Sequence, residues 1–310
     1  MVVAMGMENN YDKIRGLQEA LKHPSSGVTT IYGAEFCRKT RDCLRQFRGG
    51  HALFTFPSSG SKCSGAAQKI MYLADDHWRQ RKVRDLTNIT YITGGKSLFG
   101  VDKYARALYK VAADRGVAVN CCIDLLEVGC RTAVFQDMEG GRIVLPYNLL
   151  HVTPPMSAPL SLRQCPDLVT EQGFLDVDHH SLRHKRYSNI FGVGDCLATP
   201  NSKTAAAVAR QSYVVERNLY SVMAGETPTA RYDGYGACPL LTSYKRGILA
   251  EFLYDKRPHE TFPFDQSKER RILYHLQTSI LPYVYWNKLL KGTWNGPAGL
   301  RRIINPMAKK

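Results

Sequence analysis

His51-Ala-Leu-Phe-Thr-Phe56 runs into Pro57-Ser-Ser-Gly-Ser-Lys-Cys-Ser-Gly-Ala-Ala67, and a helical pattern follows over 66–81. A short apolar run closed by Pro and Gly reads as a buried strand, and strand, loop and amphipathic helix make half of a βαβ unit. The unit repeats. Asn88-Ile-Thr-Tyr-Ile-Thr93 is the next strand, a helix over 102–115 ends at Gly116, and Val117-Ala-Val119 is a third strand. This alternation predicts an α/β fold built on a parallel, doubly wound sheet.

Outward from this block the pattern changes. Residues 125–147 read as a β meander with a turn at Glu139-Gly-Gly141, and 149–153 adds one more strand before Pro154-Pro155. Upstream, Val2-Val-Ala-Met-Gly6 reads as the end of a buried strand with a glycine turn, and 32–47 as a helix ending at Gly49-Gly50. Downstream, 188–195 reads as a strand closing in Phe191-Gly-Val-Gly-Asp195, followed by an Ala-rich helix over 203–223.

The chain has 310 residues, enough for about two domains. Hydrophobic residues at 44% and charged residues at 22% exclude disordered, collagen-like and coiled-coil classes. Lys and Arg exceed Asp and Glu by 15, which points to an anionic partner. Nine basic residues against one Glu put +8 of that surplus in 267–310, among Leu273, Ile280, Tyr283, Tyr285, Trp286, Leu289, Leu290, Trp294 and Leu300. No apolar run reaches the length of a membrane span. Such stretches instead lie in the interface, with Trp and Tyr at headgroup depth and Arg270, Arg271, Lys288, Lys291, Arg301 and Arg302 toward anionic phosphates. A basic helix packed on the protein body is the alternative. No nucleic-acid-binding motif accompanies the charge, so nucleic acid is not assigned as a partner.

The nine cysteines show no zinc spacing, and no metal ligands are assigned. Cys63 stands between a strand and a helix N-terminus and beside Lys62, a setting that favours thiolate. Its loop has no Gly-x-Gly-x-x-Gly, against a nicotinamide dinucleotide there. Cys238, in Tyr232-Asp-Gly-Tyr-Gly-Ala-Cys-Pro239, is held by glycines and a proline. A Cys63–Cys238 pair could cycle between dithiol and disulfide, though each could equally be a bystander. Cys121, Cys122, Cys130 and Cys165 read as structural, and Cys196 as ambiguous. His179, His180 and His184 read as a solvated loop. Gly194 and Asp195 end a strand where a doubly wound sheet binds ligands. Lys203 and Thr204 begin a helix whose free N–H groups and dipole favour negative charge.

Together with Phe54-Thr-Phe-Pro57, Lys62-Cys-Ser-Gly65, Gln68-Lys-Ile-Met-Tyr-Leu73, His151-Val-Thr-Pro-Pro-Met156, Ser202-Lys-Thr-Ala-Ala-Ala-Val208, Cys238-Pro-Leu240, Ile248-Leu-Ala-Glu-Phe252 and Glu260-Thr-Phe-Pro-Phe-Asp-Gln-Ser-Lys-Glu-Arg270, these segments resemble the sulfide:quinone oxidoreductases, particularly the mitochondrial type of animals. The resemblance implies a flavoprotein with two Rossmann-like, dinucleotide-binding-type domains and C-terminal amphipathic membrane-association helices. It implies FAD as cofactor, Cys63 and Cys238 as redox cysteines, and Ala4, Gly6, Gly194, Asp195, Lys203 and Thr204 near the flavin. Hydrogen sulfide would be oxidised, ubiquinone reduced, and the sulfane sulfur passed to a small acceptor such as glutathione or sulfite. The expected place is the mitochondrial inner membrane, as a peripheral (monotopic) protein.

Members of that family open with a glycine fingerprint for the FAD pyrophosphate. Val2-Val-Ala-Met-Gly6 matches a later strand end, so the FAD domain is expected to be incomplete at the N-terminus. The expected division is 1–50 as a remnant of the FAD domain, 51–150 as a second dinucleotide-binding-type domain with the meander, 151–225 as a return to the FAD domain, and 226–310 as a redox-cysteine and membrane or quinone segment. Two other functions remain open from the residues: a type-II NADH:quinone oxidoreductase, and a truncated, cofactor-free protein that associates with membranes.

Overall fold

The computed structural model describes residues 1–306, so the last four residues of the expected 226–310 segment lie outside the described residues. The chain forms two units, one from 9–156 and 240–246, the other from 1–8, 157–239 and 247 onward.

The first of these is built on a five-stranded parallel sheet. Its spatial order is Val28–Thr29, Leu149–His151, Gly50–Phe56, Thr87–Thr93 and Val117–Cys121. Phe54 is level with Tyr91, and Tyr91 with Val119. Leu53, Phe54, Ile89, Tyr91 and Ile92 are buried, as parallel strands covered on both faces require. Helix Gly65–Gln80 buries Ala67, Met71, Tyr72, Ala74 and Trp78, a stripe at helical spacing. Trp78 lies 4.4 Å from Phe47 between ring centroids and gives its indole N–H to the Leu44 carbonyl at 3.0 Å. The meander is an antiparallel sheet of Ile123–Val128, Thr132–Asp137 and Arg142–Pro146, irregular between Leu125 and Glu127.

Two expectations differ here. Leu149–His151 does not close the meander; it runs parallel between Val28–Thr29 and Gly50–Phe56. Val28–Thr29 therefore belongs to this sheet, and residues 9–50 fold with it rather than as a remnant of the other unit.

In the other unit Val2–Val3 pairs in parallel with Phe191–Gly192, Val2 opposite Phe191. The expected strand over 188–195 is only these two residues long. Gly192 is required by close approach, since a Cβ there would stand 2.3 Å from Leu197 Cδ2. Helix Ala205–Met223 buries Ala207, Gln211, Val214, Val215 and Asn218 against a core that includes Leu175, Val177, Leu182 and Phe191. Asn218 bonds the Ser181 carbonyl and both backbone groups of Ala230.

Strand Gly247–Phe252 pairs with Gly236–Leu241. Beyond it the chain is helical over Arg271–Leu289, with wide π turns over Leu276–Ile280 and Tyr285–Leu289, and Ala298–Ile304 is the last described helix. Ile272, Ile280, Tyr283, Trp286, Leu290 and Ile303 are exposed, Ile303 by 79%, whereas Leu273, expected in the same row, is fully buried. Among the described residues no helix is long and apolar enough to cross a membrane.

Candidate active site

Cys63 lies in one unit and Cys238 in the other, and each has its own local construction. The loop carrying Cys63 is tied down residue by residue. Ser61 Oγ donates to the Pro154 carbonyl at 3.0 Å, and the Lys62 N–H points to Met156 Sδ at 3.4 Å. The Cys63 carbonyl accepts from the Tyr32 hydroxyl at 3.0 Å and from the Ala66 N–H at 2.9 Å. Cys63 itself has φ +50°, a left-handed conformation that costs a non-glycine residue roughly 1–2 kcal/mol. It is half-buried, and helix Gly65–Gln80 starts two residues on.

Next to this loop, His151 is wholly buried and stacks on Phe54 with 5.9 Å between centroids. Burial pushes its pKa down to about 3, so the ring is neutral. Its Nε2 accepts the Ile31 N–H at 3.2 Å, which places the ring proton on Nδ1.

In the other unit, Val2 and Val3 pair with Phe191 and Gly192, and Ala4 and Gly6 on one side and Gly194 and Asp195 on the other follow directly beyond those paired ends. Ala4 is exposed, Gly6 has φ +68° with open space where a Cβ would stand, and Gly194 has φ +90°. The Gly194 N–H is held by Gln211 Oε1 at 2.8 Å from within helix Ala205–Met223. Thr204 caps that helix, its hydroxyl accepting the Ala207 N–H, and Ala205 in the first turn is exposed. An open edge lined by glycines and faced by a helix N-terminus fits a dinucleotide-type ligand such as FAD.

Lys203 is turned inward instead. Its ammonium donates to the Leu197 carbonyl at 2.7 Å and to the Thr199 carbonyl at 3.0 Å. Burial lowers its pKa to about 8, with Asp195 and Cys196 acting in the opposite direction. The cation therefore braces the 197–203 loop. Cys196, left ambiguous by the sequence, is fully buried with its thiol pKa raised by burial, which makes it a poor nucleophile.

Cys238 is 1% exposed on strand Gly236–Leu241. The same strand's Gly236 lies against Ser202, 3.6 Å from its Cβ position to the Ser202 Cβ, which brings this strand beside the residue preceding Lys203. Glu251, on the neighbouring strand, sits in a buried polar cluster. Its Oε1 accepts from Tyr235 Oη at 2.5 Å, Thr261 Oγ1 at 2.7 Å and Arg301 at 3.3 Å, and its Oε2 from the Thr261 N–H and Gln266, both at 2.8 Å.

Two expectations are corrected by these contacts. Arg301 does not face phosphates: it is buried on Glu251 and over the Tyr235 ring, because an unpaired carboxylate there would be costly. His184 is not on a solvated face: it is 4% exposed, and its Nδ1 accepts the Arg186 and Tyr187 N–H groups. Tyr32, His151, Gln211 and Glu251 were not singled out from the sequence. Gln211 carries a visible signal, a polar residue on the buried stripe of a mostly apolar helix face that also buries Asn218.

A doubly wound sheet, a cysteine at its strand–helix loop and a glycine-lined edge define an α/β oxidoreductase of the dinucleotide-binding class. No protein-family model matches the chain. It is 46% identical to the mitochondrial sulfide:quinone oxidoreductase of Mus musculus over 98% of this chain and 68% of that protein. It is 39% identical to the enzyme of the same name from Schizosaccharomyces pombe, over 97% of this chain and 68% of that one. The solved sulfide:quinone oxidoreductase of Aquifex aeolicus shares the fold, with a TM-score of 0.78 at 16% identity, covering all of this chain and 73% of that one. The chain belongs to the sulfide:quinone oxidoreductase family, and it spans about two thirds of the length of these curated relatives.

Proposed function

We propose that the chain is a flavin-dependent sulfide:quinone oxidoreductase of mitochondria, with Cys63 and Cys238 as its redox pair. The observation that carries this reading is 46% identity to a protein of that name across nearly the whole chain. The local structure supports it. Cys63 is held in a left-handed loop conformation at a strand–helix junction, two residues before helix Gly65–Gln80. Cys238 lies on a strand that passes the loop leading into helix Ala205–Met223.

Starting from the disulfide form, hydrosulfide attacks the sulfur of Cys238. The S–S bond breaks, a persulfide forms on Cys238, and Cys63 leaves as thiolate. Bound FAD supplies the two-electron acceptor that passes reducing equivalents to ubiquinone. Ala4, Gly6, Gly194, Asp195 and Thr204 would hold it, while Lys203 and Gln211 fix the backbone around it. The sulfane sulfur leaves with a small nucleophile such as glutathione or sulfite.

The outward row of Ile272, Ile280, Tyr283, Trp286, Leu290 and Ile303 supports peripheral seating on the inner membrane, where a quinone would be met. Sulfide-driven reduction of a soluble quinone analogue tests the assignment. Turnover is expected to vanish in both Cys63→Ser and Cys238→Ser, and wild-type turnover in both would remove the cysteine pair from the mechanism.

A further inference from the structure

The cysteine loop depends on a residue outside it. Tyr32 is 9% exposed and stands in the turn before helix Cys37–Gln46. Its N–H donates to Thr30 Oγ1 at 3.2 Å, and its carbonyl accepts from Asn9 Nδ2 at 2.9 Å. The preceding Ile31 N–H is bonded to His151, and the Thr30 carbonyl accepts from Thr40 Oγ1 at 2.9 Å. Residues 30–32 are thus pinned through their backbone before the Tyr32 hydroxyl reaches Cys63.

We propose that Tyr32 is a positioning residue for the Cys63 thiol, acting through the Cys63 carbonyl, with Ser61 bracing the other side of the loop. The proposal rests on the reading of Cys63 as a redox cysteine. The conformation at Cys63 is one a non-glycine residue leaves unless its surroundings over-determine it. The Ala66 N–H alone is an ordinary helix-start bond and would follow the carbonyl if the peptide turned. The Tyr32 hydroxyl is different, because it comes from a turn fixed independently of the loop. Holding the Cys63 carbonyl fixes the peptide plane that follows the residue, and with it the direction in which Cβ carries the sulfur. Thiol–disulfide interchange is a directional displacement at sulfur, and a misplacement of about 1 Å costs on the order of a hundredfold in a well-aligned reaction.

The test uses the full chain loaded with FAD and four variants: Tyr32→Phe, Ser61→Ala, Tyr147→Phe and Cys63→Ser. Tyr147 is the control, since its hydroxyl also donates to a backbone carbonyl, that of Gly129 at 2.7 Å, away from the cysteine loop. Two readouts are taken: the iodoacetamide alkylation rate of the peptide containing Cys63 after reduction, followed by mass spectrometry across pH, and sulfide-driven quinone reduction.

Tyr32→Phe is expected to change the Cys63 alkylation rate about tenfold and to lower kcat with sulfide about tenfold, leaving the KM for quinone unchanged. Tyr147→Phe is expected to leave both readouts alone while lowering Tm. If Tyr32→Phe purifies poorly, Ser61→Ala must move alkylation in the same way, and a silent Ser61→Ala then overturns the proposal. It is also overturned if Tyr32→Phe matches Tyr147→Phe in both readouts. Wild-type turnover in Cys63→Ser would remove the redox reading itself, an outcome separate from a silent Tyr32→Phe in an enzyme that Cys63→Ser inactivates.

Discussion

Arg301, on the last described helix, reaches back to the carboxylate of Glu251 at 3.3 Å, and both side chains are buried, at 9% and 2% exposure. Helix Ala298–Ile304 shows its apolar Leu300 and Ile303 to solvent while this one cation anchors it inward. Breaking a buried pair leaves an uncompensated charge and costs about 3–5 kcal/mol. Arg301→Leu should therefore lower stability by about that amount in urea unfolding. Glu251→Gln strands the Arg301 guanidinium instead and sets an amide N–H against groups that donate to the carboxylate, so it should cost a similar amount. Losses below about 1 kcal/mol in both variants would show that the pair adds little to stability.

His151 makes the protein acid-sensitive. Its pKa falls from an ordinary 6.5 to about 3 on folding, so the unfolded chain takes up the proton first. The stabilisation is fully present above about pH 6.5 and is lost as pH falls toward 3. Between pH 7 and pH 5 the loss is about 2 kcal/mol. His151→Gln should flatten this part of the stability–pH curve, measured by denaturant unfolding at fixed salt.

Gln211→Leu leaves the Gly194 N–H without its acceptor at the edge assigned to the flavin. An orphaned donor costs about 1–3 kcal/mol. FAD retention, measured by equilibrium dialysis, should weaken by about tenfold or more, with Gln211→Glu nearer wild type because it keeps the acceptor. Undiminished retention in Gln211→Leu would show that the loop holds its shape without this bond.

Trp286 and Ile303 are among the most exposed apolar residues of the C-terminal segment. The double substitution Trp286→Ser, Ile303→Ser should reduce co-sedimentation with vesicles containing anionic lipid by tenfold or more, at about 0.8 kcal/mol per buried methylene lost. Raising salt should weaken the remaining binding, since the basic residues beside them act through screened charge. Binding unaffected by the double substitution would assign the row to another role.

The parts of the fold that showed in the sequence are those with their own period. His51–Phe56 and Asn88–Thr93 are apolar runs long enough to be strands, and the observed bounds of the helices over 65–80 and 102–114 differ by a residue at most. Val28–Thr29 is two residues long and has no period to read. Its membership in the sheet follows only from Leu149–His151, which slips between it and Gly50–Phe56 from more than a hundred residues away. The site divides in the same way. Cys63 and Asp195 stand out by neighbouring residues, whereas Tyr32 gains meaning only from a carbonyl 31 residues distant. Arg301 looked like surface charge because nothing local reveals that Glu251 lies beneath it.

The unit that holds Cys238 is stitched from three separate stretches, opening with Val2–Val3 and finished only after Gly247. Its first strand pairs with Phe191–Gly192 from far along the chain, and its Glu251 is joined by Arg301 from fifty residues further on. The stretch 9–156, by contrast, supplies all five strands of its own sheet. Contacts that close long loops form late, so during synthesis the cysteine loop of residue 63 takes shape on an early-folding body. The edge at Gly194 and Asp195 is completed last, and an interrupted chain would carry an ordered residue 63 before the strand of Cys238 has folded.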